Sequence, residues 1–306
     1  MTGFVLRRLA LALAVGIAVS MLSFALVRLT GDVATAIAGE GARDEDIQLV
    51  RQTYGLDRPI LVQYLAWLGE LLRGELGTSY FFKSPVSDLV LSKLPVTLIL
   101  GLSSLLFALV IAVPLGVLAA LRPDSAVDRL ALGIAVTGQA MPNFFLALLL
   151  IMLFSITLRW LPVSGSGTWQ HYVMPTVALG YYVAPAFMRL IRAGMIETLQ
   201  SDFIRTARAK GLSRSRVILR HGLRNALTPV VALAVVQLGY LLGGSVVIET
   251  VFALDGLGYL AYQSITHKDL PVMQVVVLML SVIYVLLTLF ADVLNAYLDP
   301  RLRAAM

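Results

Sequence analysis

Six stretches of this chain are too long and too apolar for an ordinary soluble core, at about residues 9–29, 97–121, 130–158, 172–190, 227–251 and 272–298. A helix needs about 20 apolar residues to cross the hydrocarbon layer. Inside that layer the backbone must bond to itself, so each run is expected to be a helix. The run at 172–190 is the weakest, because Pro175 and Pro185 interrupt it. Neighbouring helices can satisfy the carbonyls that prolines free, so it is kept as a span. The composition agrees: 58% of residues are hydrophobic and 14% charged, against roughly a quarter charged in soluble domains. Six spans leave room for one sizeable loop but not for a separate soluble catalytic domain. The absence of cysteine excludes disulfides, thiol catalysis and cysteine-held zinc or iron–sulfur sites. His171, His221 and His267 are far apart and lack ligand-like neighbours, so no metal site is expected.

Basic residues set the expected orientation. With the N-terminus inside, the segments 1–8, 122–129 and 191–226 and the tail after 298, together with Arg189 at a helix end, collect 15 of the 24 Lys and Arg residues. Both termini are then cytoplasmic. The outer segments, together with Glu249 near the outer end of its span, hold 12 of the 18 acidic residues. The net charge of +6 is thus a consequence of topology, which removes most of the case for a nucleic-acid partner. Arg7-Arg8 followed by an apolar stretch also resembles a cleavable signal. The run is about 20 residues, beyond the 7–15 of a signal core, and its loss would leave an odd number of spans. It is read as a retained helix.

Two loops carry pattern. The exterior loop, 30–96, reads as an ordered cap with one helix over Ile47 to Tyr54, ended by Gly55. A second follows Pro59 and continues to Gly74, with apolar positions at helical spacing. It is expected to lie on the membrane surface or pack against the spans. In the interior segment 191–226, Ser201 or Asp202 is placed to cap a short helix that Gly211 ends in a left-handed turn. Ser213 is placed to cap a second helix running into the next span. Phe203, Ile204 and Ala207 share one face of the first. Three readings compete: a basic loop that only fixes topology, a DNA-binding helix-turn-helix, and a docking surface for a cytoplasmic partner. Thirty-six residues pinned between two spans leave no space for the third helix that the DNA reading needs.

The residues Arg205-Thr206-Ala207-Arg208-Ala209-Lys210-Gly211-Leu212, followed by Arg220-His221-Gly222-Leu223-Arg224, resemble the cytoplasmic signature of ATP-binding-cassette import permeases. More narrowly, they resemble the B-type permease of the dipeptide, oligopeptide and nickel group. The general signature is Glu-Ala-Ala, three residues, Gly, nine residues, then Ile-x-Leu-Pro. Ala207, Gly211 and Leu223 match it. Arg205, His221 and Arg224 stand where Glu, Ile and Pro would be, departures usual in the peptide branch. Tyr54-Gly55-Leu56-Asp57-Arg58-Pro59, Leu72-Arg73-Gly74-Glu75-Leu76-Gly77, Leu161-Pro162-Val163-Ser164-Gly165, Asp255-Gly256-Leu257-Gly258 and Leu298-Asp299-Pro300-Arg301 extend the resemblance over nearly the whole chain. Leu254-Asp255 replaces a frequent Trp-Pro, and Thr30-Gly31-Asp32 a more usual Pro-Gly-Asp.

The resemblance implies an all-α polytopic membrane protein of the bacterial inner membrane, with six transmembrane helices in the type I importer permease architecture. Residues 1–29 would be an N-terminal transmembrane helix and 30–96 the exterior loop. The five-helix core would be 97–298, with the coupling segment at 191–226 and a cytoplasmic tail at 299–306. It implies a second homologous permease subunit, two cytoplasmic ATPase subunits that bind ATP and Mg, and an extracytoplasmic substrate-binding protein. No cofactor belongs to this chain. Asp202, Phe203, Arg205, Thr206, Ala207, Arg208, Ala209, Lys210, Gly211, Leu212, Arg220, Leu223 and Arg224 would couple to the ATPases. The expected cargo is a di- or oligopeptide, with nickel or another small solute as the alternative.

A phosphate-binding loop needs Gly-x-x-x-x-Gly-Lys-Ser/Thr. Gly239 to Gly244 followed by Ser245 lacks the lysine and lies in a span, where Gly239, Gly243 and Gly244 read as close helix packing. An ion-coupled secondary transporter is the rival, and it usually carries ionisable groups deep in the membrane. Here only Glu249, near an outer end, and Asp292, toward an inner end, lie in the spans. A channel is a weaker third option. Gln139, Met141, Pro142 and Asn143, with Gln237 and Ser245, are candidates for a neutral polar pore lining; bonding helix to helix is the alternative use for them.

Overall fold

The computed structural model describes residues 2–29, 32–39 and 41–298. Thr30 and Gly31 of the Thr-Gly-Asp step, and Asp299, Pro300, Arg301 and Arg303 of the tail 299–306, lie outside the described residues. The rest is helical, with no strand among the described residues beyond the isolated bridge Thr78–Pro85. The helices are α1 (Thr2–Leu29), α2 (Val33–Ala38), α3 (Asp44–Thr53), α4 (Ile60–Leu72), α5 (Val86–Leu121), α6 (Ala126–Ala140) and α7 (Asn143–Leu150). A π-helical stretch, Ile151–Thr157, prolongs α7. Then come α8 (Gln170–Gln200), α9 (Asp202–Ala209), α10 (Arg214–Arg216), a second π-helical stretch (Val217–Leu223), α11 (Arg224–Ala226), α12 (Thr228–Val251), α13 (Leu257–Thr266) and α14 (Leu270–Leu298).

Among the described residues, four segments are long and apolar enough to cross a bilayer alone: Leu6–Ala25 within α1, α5, α12, and Leu270–Tyr297 within α14. The expected run 130–158 is broken instead of merely kinked. The pair Ala126–Ala140 and Asn143–Thr157 bends by 99°. Met141 takes an extended backbone (φ −98°, ψ 127°), the conformation that a following proline imposes. Pro142 then starts α7, where its missing N–H costs nothing.

The weak run 172–190 is part of α8, a continuous helix of 31 residues that holds both prolines. It does not join the four apolar spans, for a physical reason. Met174, Ala178, Leu179, Val183, Phe187, Met188 and Ile191 are buried, so the helix lies inside the bundle and has little lipid to face. Pro185 frees the carbonyl of Tyr181 four residues back. Gly138 presses against that carbonyl, and a Cβ there would stand 2.6 Å from it.

The core is the crossing of α5 with α8. Ser104, Ala108, Ala112 and Gly116 recur every four residues and form one buried stripe on α5. Small side chains let two backbones approach closely, the usual basis of helix association in lipid. A Cβ on Gly180 would come 2.5 Å from the Ser104 carbonyl, and one on Gly116 would come 2.9 Å from the Met188 carbonyl. In α12, Gly239 packs as expected, with Tyr284 2.9 Å from where its Cβ would be. Gly243 and Gly244 do not: the first meets nothing within 4 Å, and the second only Tyr240 at 3.8 Å. α14 packs on α12 and carries α1 on its outside. Leu6, Leu13 and Leu22 of α1 are exposed, as a lipid-facing helix requires.

The cap, 30–96, is ordered where described. Its two expected helices are α3 and α4, and Pro59 stands at the start of the second. Tyr64 of α4 is buried, sharing a hydrogen bond of 2.8 Å with Ser20 and an edge-on contact with Phe24 of α1. The cap is therefore docked on the first helix.

Candidate functional site

The interior segment begins as a straight continuation of α8, past 190 to Gln200. Arg189 accordingly sits within a helix and not at its end. Ser201 turns the chain through an extended conformation (φ −70°, ψ 153°). Its hydroxyl does not cap α9 as expected; it donates to the Thr198 carbonyl at 2.6 Å. Asp202 accepts from Arg205 Nη1 at 3.2 Å, an exposed pair of small energetic weight. Ser213 stands at the start of α10, also without a side-chain cap. Gly211 does what its position predicts. Its φ is +74°, and its N–H donates to the Arg208 carbonyl.

Ile204, Ala207 and Val217 form a small core of their own, with Leu212 packed against it. Phe203 departs from the shared face expected for it: its side chain is 47% exposed while Ile204 is fully buried. One residue is a 100° step around a helix, enough to carry it out of the buried stripe. Asp202, Phe203, Arg205, Thr206, Arg208, Ala209, Lys210 and Gly211 make an exposed surface, and Arg220 and Arg224 are exposed further along. Leu223 points the other way and packs against the main core.

The returning stretch is fixed to α8 by close contacts. A Cβ on Gly222 would meet Met195 at 3.2 Å, and one on Gly194 would meet Ala226 at 3.3 Å. A second brace was not legible in the sequence. Arg192 grips Asp128 with two bonds, Nε to Oδ1 at 2.7 Å and Nη2 to Oδ2 at 2.6 Å. The Asp124 N–H adds a third at 2.9 Å, and Asp128 is buried. Bidentate geometry in a buried setting locks α6 to α8 just ahead of α9.

The candidate pore residues divide. Gln139 and Asn143 flank the 99° break. Gln139 is exposed and accepts from Arg189 Nη1 at 3.1 Å, linking α6 to α8. Met141 and Gln237 are half-buried. Ser245 is fully buried, and its hydroxyl lies 2.8 Å from Glu249 and 2.9 Å from the Leu242 carbonyl. It is consumed by packing and presents nothing to a pore.

Two buried carboxylates hold the opposite end, and sequence reasoning passed over what they do. Glu249 takes four hydrogen bonds: from Thr97 and Ser245 on Oε1, both 2.8 Å, and from the Gly258 and Tyr259 N–H groups on Oε2, 2.7 and 3.1 Å. Thr97 in turn accepts the Leu257 N–H. One acid thus joins α5, α12 and the first turn of α13. The Gly-Leu-Gly motif has its reason here, because a Cβ on Gly256 would collide with Glu249 and one on Gly258 would sit 2.6 Å from Val246. Asp269, also buried, accepts from Ser79 (2.5 Å) and from the Tyr80 and Phe81 N–H groups, tying the end of the cap to α14. The signal for Glu249 was a lone acid in a span a few residues ahead of two glycines. No group of three potential metal ligands occurs among the described residues.

A lipid-facing helical bundle with a basic segment braced on the buried helix α8 is the membrane subunit of a transporter driven from outside itself. The comparisons with known proteins agree. The chain belongs to the family described as binding-protein-dependent transport system inner membrane component, whose family model matches residues 112–304; the N-terminal model of the same system matches 1–101. It is 42% identical over 304 residues to the glutathione transport system permease protein GsiC of Salmonella paratyphi A (strain ATCC 9150 / SARB42), and 41% identical to GsiC of Escherichia coli (strain K12). Each match covers 99% of both chains. Among solved structures, the inward-facing MetNI methionine ABC transporter aligns with a TM-score of 0.57 at 23% identity, over 70% of this chain and 98% of that one. An amino acid ABC transporter aligns with a TM-score of 0.51 at 16% identity, over 70% and 94%. These two show the fold. The chain is a multi-pass permease subunit of an ATP-binding-cassette importer and not its ATPase, which sets aside the ion-coupled reading.

Proposed function

We propose that this chain forms half of the translocation pore of an ATP-driven importer of short peptides, with six spans and both termini in the cytoplasm. The domain limits expected from the sequence, 1–29, 30–96, 97–298 and 299–306, are part of this reading. The observation that carries it is the braced coupling segment. Asp202, Phe203, Arg205, Thr206, Arg208, Ala209 and Lys210 offer an outward surface for an ATPase subunit. Ala207 and Leu212 hold α9 together from within, and Gly211 fixes the turn. Arg220 and Arg224 extend the basic surface, while Leu223 anchors it. A second permease subunit completes the pore, two ATPase subunits bind ATP and Mg, and an exterior binding protein delivers the cargo. Gln139, Asn143 and Gln237 are the proposed polar lining; Ser245 lies behind it.

The cargo class rests on relatives named for glutathione transport, a peptide-like solute. Neutral donors and acceptors suit a peptide backbone better than one fixed charge does. The test is uptake of labelled glutathione and of dialanine into vesicles that contain the assembled importer, with ATP on the ATPase side. ATP-dependent uptake that ignores a protonophore is expected. Uptake abolished by the protonophore while ATP stays high would overturn the ATP-driven reading, and no uptake of either peptide would overturn the cargo.

A further inference from the structure

A cavity of about 390 Å³ lies between the cap and the bundle, walled by the end of α1, by α4 and by the start of α14. It is separate from the coupling segment and from the 99° break, and transport as described above makes no use of it. Its volume falls within the range of small-ligand pockets, roughly 300–1,000 Å³. Phe24, Trp67 and Tyr80 supply aromatic walls. Burial, with Tyr54 and Asp269 nearby, pushes the Tyr80 phenol up to about 12, so it remains a neutral donor.

The polar groups of the cavity are of three kinds. Glu70 and Glu75 are exposed where they line it, and neither carboxylate has an ion-pair or hydrogen-bond partner among the described residues. Arg28 is fixed on the wall: Nη2 and Nε reach Gln63 Oε1 at 2.6 and 3.2 Å, and the guanidinium lies 3.5 Å over the Phe24 ring. Gln274 lines the cavity from α14. Its side chain is only 7% exposed, and its Nε2 has no hydrogen-bond partner among the described residues. Native structures rarely leave such a donor unmatched without a reason. Unpaired acids and aromatic faces attract an ammonium, and a fixed guanidinium attracts a carboxylate.

We propose that this cavity is a second peptide site, outside the pore. A free di- or tripeptide would place its ammonium between Glu70 and Glu75 and its carboxylate toward Arg28. The proposal takes the peptide class and the outward orientation from the proposed function. Bound peptide would join α4 to α1 and so stiffen the cap against the bundle. An ethanolamine phospholipid headgroup shares the pairing of ammonium with anion, and the test separates the two sources.

The chain has three tryptophans, Trp67, Trp160 and Trp169. Changing Trp160→Phe and Trp169→Phe in the full chain leaves Trp67 as a reporter in the cavity wall. The protein is placed in phosphatidylglycerol vesicles and titrated with dialanine and with N-acetyl-dialanine. A saturable change in Trp67 emission is expected with dialanine. Binding should weaken by about tenfold or more on acetylation, or in a Glu70→Gln/Glu75→Gln double variant, the loss expected for a charge-assisted bond. Arg28→Met should weaken dialanine with the acids intact. No saturable response, or equal affinity for the acetylated peptide, would overturn the proposal. So would an emission change that follows phosphatidylethanolamine content and ignores peptide. Because this readout needs neither ATPase nor binding protein, its failure is distinct from a failure of peptide uptake.

Discussion

Removing the Glu249 carboxylate should loosen the end of the bundle that carries α13. Glu249→Ala leaves the buried Gly258 N–H and the partly buried Tyr259 N–H without acceptors. Each orphaned buried donor costs about 1–3 kcal/mol, so the variant should lose roughly 2–6 kcal/mol before any cavity is counted. Glu249→Gln is milder. Its remaining oxygen can keep both N–H groups, while its amide nitrogen donates to Thr97 and Ser245, whose hydroxyls turn to accept. Only the charge assistance at two bonds is lost, about 2 kcal/mol in all. The assay is unfolding of the purified full chain in detergent micelles, followed by helical circular dichroism. Thr97→Val, alone and combined with Glu249→Ala, closes a double-mutant cycle in which coupling of roughly 0.5–3 kcal/mol is expected. The reasoning fails if Glu249→Ala unfolds like the native chain, if Gln and Ala substitutions cost the same, or if the cycle is additive.

Arg192→Ala leaves Asp128, which Arg192 itself helps to cover, on one N–H and should destabilise by roughly 1.5–3 kcal/mol, the range for hydrogen bonds to a charged group, in the same unfolding assay, while Arg189→Ala, at an exposed bond, should cost under about 1 kcal/mol. Gly180→Ala drives a Cβ into the Ser104 carbonyl and should cost roughly 1–3 kcal/mol, whereas Gly243→Ala meets open space and should be neutral or gain up to about 1 kcal/mol of helix propensity. Gly211→Pro cannot adopt φ +74°; vesicles should hold the protein in full amount but show ATP hydrolysis without uptake, and normal uptake would remove the docking role from α9. Gly211→Ala, with no Cβ contact, should cost only about 1–2 kcal/mol.

The sequence was most informative where a single local rule decided the outcome. Pro59 opens α4, Gly211 takes the left-handed turn, and uninterrupted apolar runs become α5, α12 and α14. It was least informative where partners distant in the chain decide. Pro142 announces a break, but its 99° angle is set by how α6 and α7 each lie on α8. Arg192 counts as one more topological charge until Asp128, 64 positions away, is seen beside it. Phe203 and Ile204 look equally apolar, and only the packing of Val217 from the returning stretch separates buried from exposed. Ser245 is polar enough for a pore, and its burial depends on Glu249.

The length of α8 has a mechanical consequence. Thirty-one residues at 1.5 Å each make a rod of about 46 Å, some 16 Å longer than the hydrocarbon layer is thick. Its tightest crossing is at Gly180, which leaves about 30 Å between that fulcrum and Gln200. A tilt of about 10° around it would sweep the far tip, with α9 attached, through about 5 Å. The contacts beside Gly180 would shift by less than the width of an atom. Under the proposed docking of an ATPase subunit on α9, a lever of this shape would turn a slight rocking among tightly packed small residues into a longer stroke at the tip, and would convert a push on the tip into a small, forceful rotation within the membrane.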